Sequence, residues 1–89
     1  MENKNYKKNC RVCGYEYDEP PWGIDDKTPL FEICPCCGNQ FGYNDCNIEA
    51  IRKYRSEWII NGANWFNSKF QNVGWNLFSQ LKQVPPEWI

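Results

Sequence analysis

Two short stretches, Cys10-Arg11-Val12-Cys13-Gly14 and Cys34-Pro35-Cys36-Cys37-Gly38, constrain this chain more than any other feature in it. Each contains a C-x-x-C-G turn, which can fold back so that two thiolates converge on one ion while glycine takes a backbone position that a Cβ would obstruct. Four sulfurs from two such turns complete a tetrahedron, and the spacing assigns Cys10, Cys13, Cys34 and Cys37 as ligands of one metal ion. Two cysteines are left over. Cys36 sits between two ligands and is expected to project away from the ion. Cys46 falls at the start of an expected helix, where the dipole could lower its pKa. Either is a candidate redox-active thiol.

At 89 residues the chain is expected to be a single domain, 1–89, with a metal-binding knuckle lobe over 1–45 and a helical extension over 46–89. A core of this size leaves little net stability, and a metal staple commonly makes up the difference. Structural zinc contributes roughly 10–16 kcal/mol of apparent binding energy at neutral pH, which matches the whole stability of an ordinary domain. No apolar run is long enough to span a membrane, and Met1 to Asn9 is polar with no hydrophobic segment behind it, so neither secretion nor insertion is expected. Six cysteines could also form a disulfide framework, but that reading leaves the paired turns unexplained. A reducing cytoplasm fits them better.

Along the chain, Tyr6 to Asn9 reads as a strand entering the first knuckle and Tyr15 to Tyr17 as the strand leaving it. Pro20, Pro21, Gly23, Asp25, Asp26 and Pro29 then break any regular element. Leu30 to Ile33 and Gln40 to Tyr43 read as the strands of the second knuckle hairpin. Beyond them, Asn44, Asp45 and Asn47 offer capping oxygens, and Ile48, Ile51, Tyr54, Trp58 and Ile59 fall at helical spacing, predicting an amphipathic helix over about 47–61 that stops at Gly62. The stretch from Asn67 to Trp75 reads as loop. Asn76 caps a short helix presenting Leu77, Leu81 and Val84, which Pro85-Pro86 ends, and the apolar end of Glu87-Trp88-Ile89 is expected to fold back. The fold class expected is therefore α+β.

Cys10-Arg-Val-Cys13-Gly14-Tyr15-Glu16-Tyr17-Asp18 with Cys34-Pro35-x-Cys37-Gly38 resembles the two iron-binding loops of rubredoxins. The segment between the knuckles is shorter than in rubredoxins, however, and Leu30-Phe31-Glu32-Ile33 replaces their Leu-Pro-x-x-Trp approach. A resemblance covering nearly the whole chain is to the bacterial cysteine-rich CPCC family. It is carried by Cys34-Pro-Cys-Cys-Gly38, Phe41-Gly42-Tyr43, Trp58-Ile-x-x-Gly62-Ala-x-Trp65, and Trp75 ahead of Gln80-Leu81-Lys82. This resemblance implies a zinc-ribbon-like protein and no particular reaction.

The net charge of -1 hides an uneven distribution: +3 over residues 1–11, -5 over 12–44 and +1 over 45–89. An acidic knuckle lobe repels phosphate backbones, so nucleic acid is not an expected partner, and the basic N-terminus reads as a solvated tail. There is no histidine, and a four-thiolate site leaves no open position for water or substrate, so no enzyme activity is expected. Of the five tryptophans, Trp58 and Trp65 are expected in the core. Trp22 and Trp88 are expected to be exposed, where they would suit a protein partner. The expected function is a structural zinc module acting through contact with another macromolecule. The alternatives are a one-electron carrier with four-cysteine iron and a thiol redox protein using Cys36 or Cys46.

Overall fold

A computed structural model describes residues 6–89. Residues 1–5, which carry part of the basic N-terminal tail, lie outside the described residues. Among the described residues the elements are helix α1 (Ile48–Ile60), a 3₁₀ turn (Ser68–Phe70), helix α2 (Leu77–Leu81) and a second 3₁₀ turn (Pro86–Trp88). Among the described residues no helix is long and apolar enough to cross a membrane.

The expected α+β class, with two strand-built knuckle hairpins in a rubredoxin-like or zinc-ribbon lobe, is not what forms. Each knuckle is closed by one isolated antiparallel bridge, Asn9 with Glu16 and Ile33 with Gln40, and no strand extends from either. The two turns repeat each other bond for bond. In the first, Cys10 N–H donates to Tyr15 O, Gly14 N–H to Cys10 O and Tyr17 N–H to Lys8 O. In the second, Cys34 N–H donates to Asn39 O, Gly38 N–H to Cys34 O and Phe41 N–H to Glu32 O.

The backbone on either side explains why the pairing stops there. Ahead of the first bridge the chain is already turning, with Asn9 N–H bonded to Tyr6 O, and Pro20-Pro21 follow its exit. Ahead of the second bridge Phe31 has φ +59, and just beyond it Gly42 has φ +96. Neither conformation continues a pleated ladder, which needs φ near -140°.

Helix α1 forms close to the predicted range. Asn47 is its N-cap, its side chain accepting from Ala50 N–H at 2.8 Å, and Glu49 places a negative charge in the first turn, where the macrodipole favours one. At the other end Gly62 N–H bonds to Ile59 O and Ala63 N–H to Trp58 O, with Gly62 at φ +106, which is the paired bonding of a Schellman stop. Ile51 and Trp58 are buried, and Arg52, Lys53, Ser56 and Glu57 lie outside, as the periodicity predicts. Asn76 caps α2 by accepting from Ser79 N–H at 2.8 Å. That helix ends at Leu81, short of the prolines, and Pro86 instead opens the last 3₁₀ turn. The expected loop after Asn67 contains the first 3₁₀ turn, which Asn67 caps.

The core is built largely of sulfur. Cys10, Cys13, Cys34, Cys36 and Cys37 are buried together with Val12, Phe41, Ile51, Trp58 and Ala63. Tyr15, Tyr17, Tyr54, Trp65, Trp75, Leu77, Leu81 and Trp88 pack over this cluster, so the elements after residue 45 close directly onto the two knuckles. Trp58 is in the core as expected, and Trp65 is half-buried, edge-on to Tyr15 at 5.8 Å and to Trp75 at 5.6 Å. Trp22 and Trp88, expected at the surface, are half-buried on either side of Arg11, whose guanidinium carbon lies 4.0 and 4.2 Å from their ring centres. The last residues fold back as expected up to Trp88, but Ile89 remains exposed.

Candidate metal centre

The two knuckles bring the four predicted residues together. The sulfurs of Cys10, Cys13, Cys34 and Cys37 all lie within 4.8 Å of one another, and all four residues are buried. Across the knuckles, Cys10 Sγ is 3.8 Å from Cys37 Sγ and Cys13 Sγ is 3.7 Å from Cys34 Sγ. A tetrahedral ion with metal–sulfur bonds of about 2.3 Å requires sulfur–sulfur edges of about 3.8 Å. The donor set therefore fits one thiolate-bound ion, and the four cysteines could hold one. None of the six cysteines is in a disulfide.

Glycine is required in both turns. Gly14 has φ +83, and a Cβ there would lie 2.4 Å from Gln83 C and 2.5 Å from Val84 N, so the first knuckle is in direct backbone contact with the C-terminal segment. Gly38 has φ +80, with Phe66 and the Tyr54 hydroxyl next to it.

Electrostatics in the cluster favour a cation. Burial pushes the thiols of Cys13, Cys34 and Cys37 well above the ordinary thiol range. At Cys10 burial acts in the same direction, but the hydrogen bonds its sulfur receives from the other three outweigh it and hold Cys10 well below that range. A bound ion would displace the protons that these thiols otherwise carry.

Polar residues that sequence reasoning passed over, or in the case of Asp45 read as a helix cap, hold this arrangement in place. Asn39, fully buried, donates its backbone N–H to Cys37 Sγ at 3.4 Å and its side-chain amide to Cys10 Sγ at 3.9 Å and Asp45 Oδ2 at 3.0 Å. Asp45, also fully buried, further accepts from Trp22 Nε1 at 2.9 Å and Gly42 N–H at 2.8 Å, so it caps the loop after the second knuckle rather than α1. Arg55 reaches from α1 to the carbonyls of Val12 at 2.6 Å, Arg11 at 2.9 Å and Trp88 at 2.6 Å. Gln80 of α2 donates to Cys13 O at 3.0 Å, and Tyr54 donates to Cys37 O at 3.2 Å. Each knuckle is therefore gripped through its carbonyls by a later part of the chain. Outer-shell contacts of this kind orient ligands and tune a metal.

Cys36 and Cys46 are not part of the quartet. Cys36 is wholly buried, while Cys46 is exposed just ahead of the Asn47 cap and donates to Gly42 O at 3.1 Å.

No family model and no solved structure matches the chain. It is similar to two Bacillus subtilis (strain 168) proteins described as uncharacterised. YoaQ is 32% identical over 69 residues, covering 61% of this chain and 58% of the relative. YozI is 32% identical over 74 residues, covering 65% of this chain and 61% of the relative. The chain thus spans about three fifths of the length of these curated relatives. Bacterial relatives of unassigned role, taken with the four-cysteine cluster, fit a cysteine-rich family.

Proposed function

We propose that the chain is a member of the bacterial cysteine-rich CPCC proteins and is a non-enzymatic, cytoplasmic module. In this reading one zinc ion on Cys10, Cys13, Cys34 and Cys37 is structural, and the folded surface contacts a protein partner. The observation that carries the reading is the position of the sulfur quartet. It is the centre of the hydrophobic core, with every ligand buried, and not a rim site open to substrate. Thiolates fill all four tetrahedral positions and there is no histidine, so the arrangement suits an ion that holds the fold and does not activate water. Zinc is preferred over iron because nearly half the chain is given to packing elements that grip the knuckles, whereas an electron carrier needs only a compact lobe around its ion.

Metal analysis of protein purified from its own host, without added metal, tests this. A colourless protein with one zinc per chain is expected. Thiolate-to-iron charge-transfer bands, bleached by dithionite and restored by air, would replace the zinc reading with one-electron transfer.

A further inference from the structure

The fold leaves large apolar side chains exposed at several places, and three of them, Ile33, Phe66 and Phe70, meet in one groove beside the second knuckle. Tyr15, Tyr17, Ile33, Pro35, Phe66 and Phe70 line this groove of about 240 Å³, in which Ile33, Phe66 and Phe70 are 43%, 63% and 53% exposed. A second hollow, of about 500 Å³, shares Tyr15 and Phe70 with it and runs on past Trp65 and Trp75. The groove is shallow and below the usual volume for a drug-sized ligand, yet it offers aromatic walls to individual side chains.

Its rim is acidic. Asp18 lies in the groove itself, and Glu32 accepts the Tyr17 hydroxyl at its edge. Glu19 also acts on Tyr17, and Glu16 lines the adjoining hollow, where Lys69 is the opposing cation. Four thiolates on a divalent ion would add a further net -2 to the knuckle lobe.

We propose that this groove is the docking site for a basic segment of a protein partner, one that seats one or two large apolar side chains between Phe66, Phe70 and Ile33 while its Lys or Arg residues face Asp18, Glu16 and Glu32. The inference rests on the interaction-module reading above and names its surface and partner chemistry. A second copy of this chain is disfavoured as occupant because a self-paired groove would set the same carboxylates against each other. Nucleic acid is disfavoured by the same sign of charge.

The test uses the zinc-loaded full chain, with zinc content measured on the same sample, and a labelled ten-residue peptide alternating Lys with Leu and Phe. The controls are its Glu-for-Lys counterpart and two variants, Phe70→Asp and Ile60→Asp. Phe70 and Ile60 are both exposed, and Ile60 lies outside the groove. Binding of the basic peptide only, weakened by salt, lowered tenfold or more by Phe70→Asp and unchanged or slightly strengthened by Ile60→Asp, is the expected result. The Phe70 variant is decisive because it makes the rim more acidic: attraction by charge alone would strengthen, while a seated apolar side chain would be lost. Strengthened binding in Phe70→Asp, equal binding of the acidic peptide, no binding of either, or concentration-dependent self-association abolished by Phe70→Asp would each overturn the proposal. A folded chain with no stoichiometric metal would instead overturn the structural-zinc reading, whatever the peptides do.

Discussion

Replacing Gly14 with alanine isolates the contact between the first knuckle and the end of the chain. Two penalties are added at once. The left-handed backbone at φ +83 is disfavoured for an L residue by roughly 1–2 kcal/mol. The new Cβ would also lie 2.4, 2.5 and 2.8 Å from Gln83 C, Val84 N and Gln83 O, all backbone atoms. They cannot swing aside as a side-chain tip would, because Val84 is buried and Gln80, three residues earlier, is bonded to Cys13 O. Forced overpacking of this kind costs about 1–3 kcal/mol. The sum, about 2–5 kcal/mol, is a large part of the roughly 5–15 kcal/mol that a domain possesses. Gly74 supplies the control: its φ is +80, but nothing lies within 4 Å of an added methyl, so Gly74→Ala carries only the backbone penalty. Denaturant unfolding of both variants at one fixed free zinc concentration measures the difference, since metal bound to the native state otherwise shifts the apparent stability by mass action. Gly14→Ala is expected to be about 1–3 kcal/mol less stable than Gly74→Ala. Equal losses would refute the close approach of knuckle and C-terminal segment.

Further outcomes follow from the same geometry. Cys13→Ser or Cys34→Ser is expected to lose the bound ion and unfold the knuckles, whereas a Cys36→Ala, Cys46→Ala double variant keeps one metal per chain by elemental analysis. Arg55→Leu strips three carbonyls of their shared donor and is expected to lower stability by about 2–4 kcal/mol in denaturant unfolding, more than the exposed neighbour Arg52→Leu. Tyr17, whose pKa is pushed up to about 12 first by its hydrogen bond to Glu32, is neutral in both folded and unfolded chains below pH 10. Its contribution to stability is therefore complete there and is lost as pH rises through the folded value. An alkaline absorbance titration should show a late-ionising phenol that Glu32→Gln moves toward the ordinary range.

The knuckles and the helices were legible in the sequence for different reasons. Four cysteines in two identical turns allow little geometric freedom, and Asn47, the Ile51–Trp58 stripe and Gly62 mark both ends and the inner face of α1. The strands failed because alternation on either side of a knuckle shows only that the chain is extended there. Whether a ladder continues depends on neighbours such as Phe31, whose φ of +59 no composition rule would assign to a phenylalanine. Asn39, Arg55 and Gln80 were missed around the cluster because Asn, Arg and Gln usually face water, and Asp45 was read as a cap of α1 because it stands just ahead of that helix. One signal was present: Arg55 falls between Ile51 and Trp58 on the buried stripe of α1, where a charged residue needs a partner inside. Trp22 and Trp88 were misjudged because their cover is Arg11, a residue that looks like part of a solvated tail.

The way the four sulfurs are divided, two per turn, also bears on how an ion would be captured. One knuckle alone can engage an ion through a loop of a few residues, and the second is then a tethered ligand whose effective concentration depends on the chain between Cys13 and Cys34. That tether includes an exposed bend at Ile24–Thr28, held by Asp25 accepting from Lys27 N–H and the Thr28 hydroxyl, by Thr28 N–H donating to Trp22 O and by Lys7 Nζ donating to Ile24 O. Closure entropy grows only logarithmically, so doubling such a tether weakens capture by about 0.6 kcal/mol, less than a threefold change in affinity. Lengthening at Ile24–Thr28 is therefore expected to cost little metal affinity, whereas the segment at Gln83 and Val84, pressed against Gly14, has no such slack.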